Sequence, residues 1–129
     1  MVFSIAIYAS PAHQASHSAY QFAQALLSQG HRLYRVFFYH DGVYLTSALN
    51  CPPQDETHYT EQWQQLAQQH DIDMVVCIAA GLRRGIIDSK EAERYEKAAH
   101  NLGASFELAG LGQLIDCLLY TSPSPRDRG

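Results

Sequence analysis

Three short apolar runs set the architecture of this chain: Val2 to Tyr8, Leu33 to Tyr39, and Asp71 to Ile78 with its Met74-Val75-Val76-Cys77-Ile78 centre. Runs this short, rich in β-branched and aromatic residues, read as strands buried on both faces. The stretches between them have helical periodicity. Ala19, Phe22, Ala23, Leu26 and Leu27 mark one helix face, and Gly30 closes it as a C-terminal cap. Thr57 to His70 carries Trp63, Leu66 and Ala67 on one side and glutamines elsewhere, an amphipathic surface helix. A second charged helix is expected over Asp88 to Asn101, with Asp88 as N-cap and Glu91 in capping-box spacing. Ser105 to Leu108 reads as a fourth strand, and Gly110-Leu111-Gly112 as the start of a further helix. His40-Asp41-Gly42 is expected as a turn and Asn50-Cys51-Pro52-Pro53 as a loop. Alternating strands and helices predict an α/β fold: a small doubly wound parallel sheet with helices on both faces, a flavodoxin-like sandwich.

The 129 residues suit one domain. With 47% hydrophobic and 17% charged residues, the chain has the composition of a packed core rather than of disorder. A formal charge of −4 argues against a broad nucleic-acid surface. No apolar stretch approaches the roughly 20 residues of a membrane span. Three cysteines make no disulfide framework, so a reducing, cytoplasmic setting is expected. Residues 117–129 resemble the in-frame translation of a sequencing adapter. They are expected to be a non-native, disordered tail that replaces the final strand, leaving residues 1–116 as the domain and removing Cys117 from consideration.

Cys77 is the residue that most invites chemistry. It lies near the C-terminal end of its strand, where open α/β sheets place their ligands. Ala79-Ala80-Gly81-Leu82-Arg83-Arg84-Gly85 follows it. A thiol near arginines and a helix start is pushed toward thiolate, the reactive form of sulfur. The opposing reading is a small apolar filler, since cysteine is among the most buried residue types. Tyr39, His40 and Asp41 run off the end of the second strand and are expected on the same sheet edge, as pocket wall. They could equally be a packed aromatic strand and a tight turn. Arg83 and Arg84 read either as solvated charges or as stabilisers of a thiolate. Activation of Cys77 by His13 or His40 is a further arrangement that spacing leaves open. The His13/His17 spacing is weak for a metal, and no metal or cofactor is expected. The first βα loop, Ala9 to His17, lacks the glycine fingerprint of a nucleotide site; Ser10, His13, Ser16 and Ser18 read as caps of the following helix. No CxxC pair is present, which argues against a dithiol oxidoreductase and for a single working thiol.

Several stretches resemble the DsrE-like sulfurtransferase family, and within it the TusD branch. They are Ala19 to Leu26, Val36-Phe37-Phe38-Tyr39 with Asp41-Gly42-Val43-Tyr44, Trp63 to Leu66, Cys77 to Gly85, and Leu108 to Gly112. Cys77-Ile78 with Ala-Ala-Gly-Leu-Arg-Arg-Gly after it is the most specific of them. The resemblance implies a persulfide carrier with Cys77 as the catalytic residue. It implies receipt of sulfur from a TusA-like donor and delivery to a TusE-like acceptor, for 2-thiolation of the tRNA wobble uridine. It further implies a heterohexamer with TusB- and TusC-like paralogues, with no cofactor, membrane or direct nucleic-acid contact. Two alternatives stand beside it: a non-catalytic structural subunit of such a complex, and a DsrE-type subunit of dissimilatory sulfur oxidation.

Overall fold

The computed structural model describes residues 2–110. Strands β1 (Val2–Ile7), β2 (Arg32–Phe38), β3 (Asp73–Cys77) and β4 (Phe106–Ala109) form one sheet in the order β1-β2-β3-β4. Every pairing is parallel, and Ile7, Phe38, Val76 and Leu108 lie side by side near its C-terminal edge. The β1–β2 register shifts between Phe3 and Ser4, where Tyr34 marks a bulge in β2. The parallel α/β sheet with packed helices expected from the sequence is observed.

The helices are α1 (Gln14–Ser28), a 3₁₀ helix (His40–Thr46), α2 (Tyr59–His70), α3 (Ile78–Arg83) and α4 (Ser89–Arg94). Strands laid down in chain order, joined by right-handed crossovers, put α1 and α2 on the same face. That face holds the main core, where Tyr20 and Ala23 of α1 and Trp63, Leu66 and Ala67 of α2 pack on Ile7, Val36, Phe38, Met74 and Val76. Trp63 meets Tyr20 and Phe38 edge-on, at ring separations of 5.0 and 5.9 Å. The opposite face carries a second cluster, Phe37, Val75 and Ala109. Among the described residues that cluster is built from β2, β3, β4 and the exit of β2.

Other differences have local causes. The expected turn at His40-Asp41-Gly42 is the start of a 3₁₀ helix. The expected helix over Asp88 to Asn101 begins as predicted, with Asp88 Oδ1 accepting from Glu91 N at 2.9 Å, but closes after Arg94. Glu96 takes a left-handed φ of 56°, and Lys97 N donates back to Ala92 O. Beyond it the chain is held by long-range bonds. Asn101 Oδ1 accepts from Ile87 N at 3.0 Å, Asn101 Nδ2 donates to Gly85 O at 2.9 Å, and Gly103 N donates to Thr46 O at 2.8 Å. The helix expected at Gly110-Leu111-Gly112 falls almost wholly, and the tail 117–129 wholly, outside the described residues.

Candidate functional site

The rim of the sheet above β3 is where the sequence-predicted residues meet. Cys77 is the last residue of β3 and the N-cap of α3. It is half-buried and pairs in register with Ala109 of β4. Side chains two apart share a sheet face, so Cys77 lies on the Val75 side. It packs both against the Phe37, Val75 and Ala109 cluster and against the edge of the main core, and Tyr39 packs against the former cluster from the end of β2. The thiol therefore borders an apolar patch that Tyr39 also covers, neither sealed in the core nor fully exposed. Its side chain makes no capping hydrogen bond to α3.

Tyr39 is held by both backbone and ring. Its N–H donates to Ile7 O at 3.0 Å, its carbonyl accepts from Gly42 N at 2.9 Å, and its ring lies 5.9 Å from that of Tyr8. Tyr8 is 63% exposed, so the aromatic lip continues outward over the end of β1. His40 is exposed and adopts a φ of 49°, which costs a non-glycine residue about 1–2 kcal/mol. The strain is sustained because the turn is pressed against β1: a Cβ at Gly42 would overlap the carbonyl oxygen of Ile7.

The two arginines part company. Arg83 is exposed. Arg84 is half-buried, its Nε donating to Asp41 Oδ1 at 2.9 Å and its Nη1 to Ala80 O at 3.1 Å. Asp41 and Arg84 are thus partners, tying the 3₁₀ helix to α3. Paired with a carboxylate, Arg84 exerts a weaker net field on its surroundings than a lone guanidinium would.

The histidines serve the βα loops. His13 caps α1, its Nδ1 accepting from Ala15 N at 3.2 Å. His17 Nε2 bonds Pro11 O at 2.8 Å and its ring stacks on Tyr59 at 4.6 Å. Ser16 is buried and its hydroxyl lies 2.7 and 2.8 Å from the carbonyls of Ala9 and Ser10, so it braces the loop; the cap expected from this group is His13. Among the described residues no group of three His, Cys, Asp or Glu could hold a metal ion. Cys51 is exposed in its loop, with Sγ 3.3 Å from Leu49 O.

Sequence reasoning missed Phe37, Val75 and Ala109 as the floor under the thiol. The alternation of a strand, Phe37 with Tyr39 and Val75 with Cys77, is the signal that identifies two of them. The Asp41–Arg84 pair had no such signal, because its members are 43 residues apart.

The DsrE/DsrF-like family model matches residues 1–121 of this chain. DsrE of Allochromatium vinosum is 51% identical over 120 residues, 92% of either chain. The sulfurtransferase TusD homolog of Aliivibrio fischeri is 50% identical over 106 residues, 82% of either chain. The sulfurtransferase TusD of Photorhabdus laumondii is 47% identical over 106 residues, 82% of this chain and 81% of its own. Among solved structures, the ychN protein from E. coli superposes with a TM-score of 0.66 at 16% identity, covering 94% of this chain and 93% of that one. At that identity the likeness speaks for the fold alone.

Proposed function

We propose, from the premise that this chain belongs to the DsrE/DsrF-like family and is a sulfurtransferase, that Cys77 is its sulfur carrier. The observation that carries the reading is the half-buried thiol at the C-terminal end of β3, on an apolar floor that limits hydrolysis yet open enough for another sulfur to reach. The Cys77 thiolate attacks the terminal sulfur of a donor persulfide. The donor's S–S bond breaks and a new one forms on Cys77. The donor leaves as a thiolate and takes up the proton that Cys77 released, so no net oxidation occurs. Delivery repeats the exchange, with the acceptor's thiolate attacking the outer sulfur of the Cys77 persulfide. Tyr39 forms the wall beside the thiol, and Arg83 offers a positive charge at the rim for an anionic persulfide.

The donor in this reading is a TusA-type protein and the acceptor a TusE-type protein. The chain works in the cytoplasm within a complex with TusB- and TusC-like paralogues, and the relay ends in 2-thiolation of the tRNA wobble uridine. Identity to relatives named TusD supports it. So does the absence, among the described residues, of any helix long and apolar enough to cross a membrane. The 51% identity with DsrE favours a second reading, in which the same chemistry serves dissimilatory sulfur oxidation. The test is transfer of ³⁵S from a persulfidated TusA-type donor. Labelling of the parent and none of Cys77→Ser is expected. Equal labelling of both would remove Cys77 from the mechanism.

A further inference from the structure

The Tyr39-to-Gly42 turn and the helix that begins at Cys77 are joined through one guanidinium, and from this we infer that Asp41 is a positioning residue for Cys77, acting through Arg84. The inference rests on the sulfur-carrier reading and adds to it the group that sets the thiol's surroundings.

Arg84 holds Asp41 Oδ1 at 2.9 Å with Nε and the carbonyl of Ala80 at 3.1 Å with Nη1. Ala80 lies one turn beyond Cys77 in α3. A single planar fork therefore grips the backbone of α3 on one side and the turn that carries Tyr39 on the other. Tyr39 and Cys77 pack on the same patch of Phe37, Val75 and Ala109. Asp41 accordingly does two things. It fixes the tyrosine wall relative to the helix that starts at the thiol, and it cancels the charge of Arg84 beside that helix. The carboxylate is 57% exposed, so as an ion pair it adds little to folding. Its influence falls on the position and charge environment of the sulfur.

Three variants separate these effects. Asp41→Asn keeps an oxygen acceptor for Nε and removes the charge; Asp41→Ala removes both; Asp41→Glu restores the charge. Alkylation of Cys77 by iodoacetamide is followed against pH, read at the Cys77 peptide by mass spectrometry. Sulfur acceptance from a persulfidated donor protein is measured alongside. The expected result is a profile displaced to lower pH in Asp41→Asn and Asp41→Ala, because Arg84 is no longer compensated. Asp41→Ala should also accept sulfur about tenfold more slowly, since a small misplacement of a reacting group costs rate steeply. Asp41→Glu should return the profile toward that of the parent, and all melting temperatures should stay within a few degrees. Superimposable pH profiles for parent, Asn and Ala forms overturn the inference, as does slower acceptance that merely follows a loss of melting temperature. Failure of the carrier reading has a separate signature: the parent itself takes no sulfur at Cys77.

Discussion

Replacing Gly42 by alanine tests how the rim beside Cys77 is built. The added Cβ would overlap the carbonyl oxygen of Ile7 and lie 2.8 Å from its carbonyl carbon and 3.2 Å from the Cα of Tyr8. All three are backbone atoms of β1 or its exit, which cannot rotate aside as a flexible side chain would. Overpacking of this kind costs about 1–3 kcal/mol. Lifting the 3₁₀ helix off β1 also weakens Tyr39 N to Ile7 O (3.0 Å) and Gly42 N to Tyr39 O (2.9 Å), each contributing about 1 kcal/mol. With partial relaxation the sum is about 2–4 kcal/mol, a fall of roughly 8–16 °C in Tm for a domain this size. Gly30 is the control: its φ is +86° but a Cβ there meets nothing within 4 Å, so Gly30→Ala carries only the left-handed strain of about 1–2 kcal/mol. Urea unfolding of both variants, with unchanged m-values, is the assay. Gly42→Ala should have the lower midpoint, and alkylation of Cys77 should change in it but not in Gly30→Ala. A midpoint for Gly42→Ala equal to or above that of Gly30→Ala would refute the idea that close approach, rather than backbone conformation, demands glycine at 42.

Two further outcomes follow from the core. Trp63 is fully buried between Tyr20 and Phe38, so Trp63→Ala should cost about 3–5 kcal/mol by chemical denaturation, while Trp63→Phe should recover most of it. Tyr20 has its phenol pushed above the ordinary value near 10.0, first by burial and then by the neighbouring Tyr59. The neutral form is the one the fold accommodates. Its contribution is whole below pH 10 and is lost as pH rises through the elevated folded-state value. Denaturant midpoints should therefore decline on the alkaline side, and Tyr20→Phe should decline less steeply, at the cost of the 3.0 Å bond to Gln62 Oε1.

The strands were legible because β3 is apolar on both faces and β1 and β2 are short and rich in aromatic or β-branched residues; such runs have few other solutions in a chain of this length. The helices α1 and α2 followed from stripes such as Ala19-Ala23-Leu26 and Trp63-Leu66-Ala67. The side of the sheet that a helix covers depends on strand order, a long-range property that no local pattern reports. The same reason explains α4. Propensity and charge extend a helix to Asn101, but bonds from Asn101 to Gly85 and Ile87 and from Gly103 to Thr46 compete and win. At the site, Cys77 and Tyr39 were placed by their position at strand ends. The commitment of Arg84 to Asp41 was invisible, because sequence reports that two charges exist and not that one faces the other.

The central claim is that one sulfur atom, that of Cys77, carries another. Intact-mass and peptide-resolved mass spectrometry of the chain after exposure to a persulfidated donor protein tests it most directly. The expected product has gained one sulfur atom, located on the peptide containing Cys77, removable by dithiothreitol and absent in Cys77→Ser. A gain located instead at Cys51, or one that persists in Cys77→Ser, would contradict the claim.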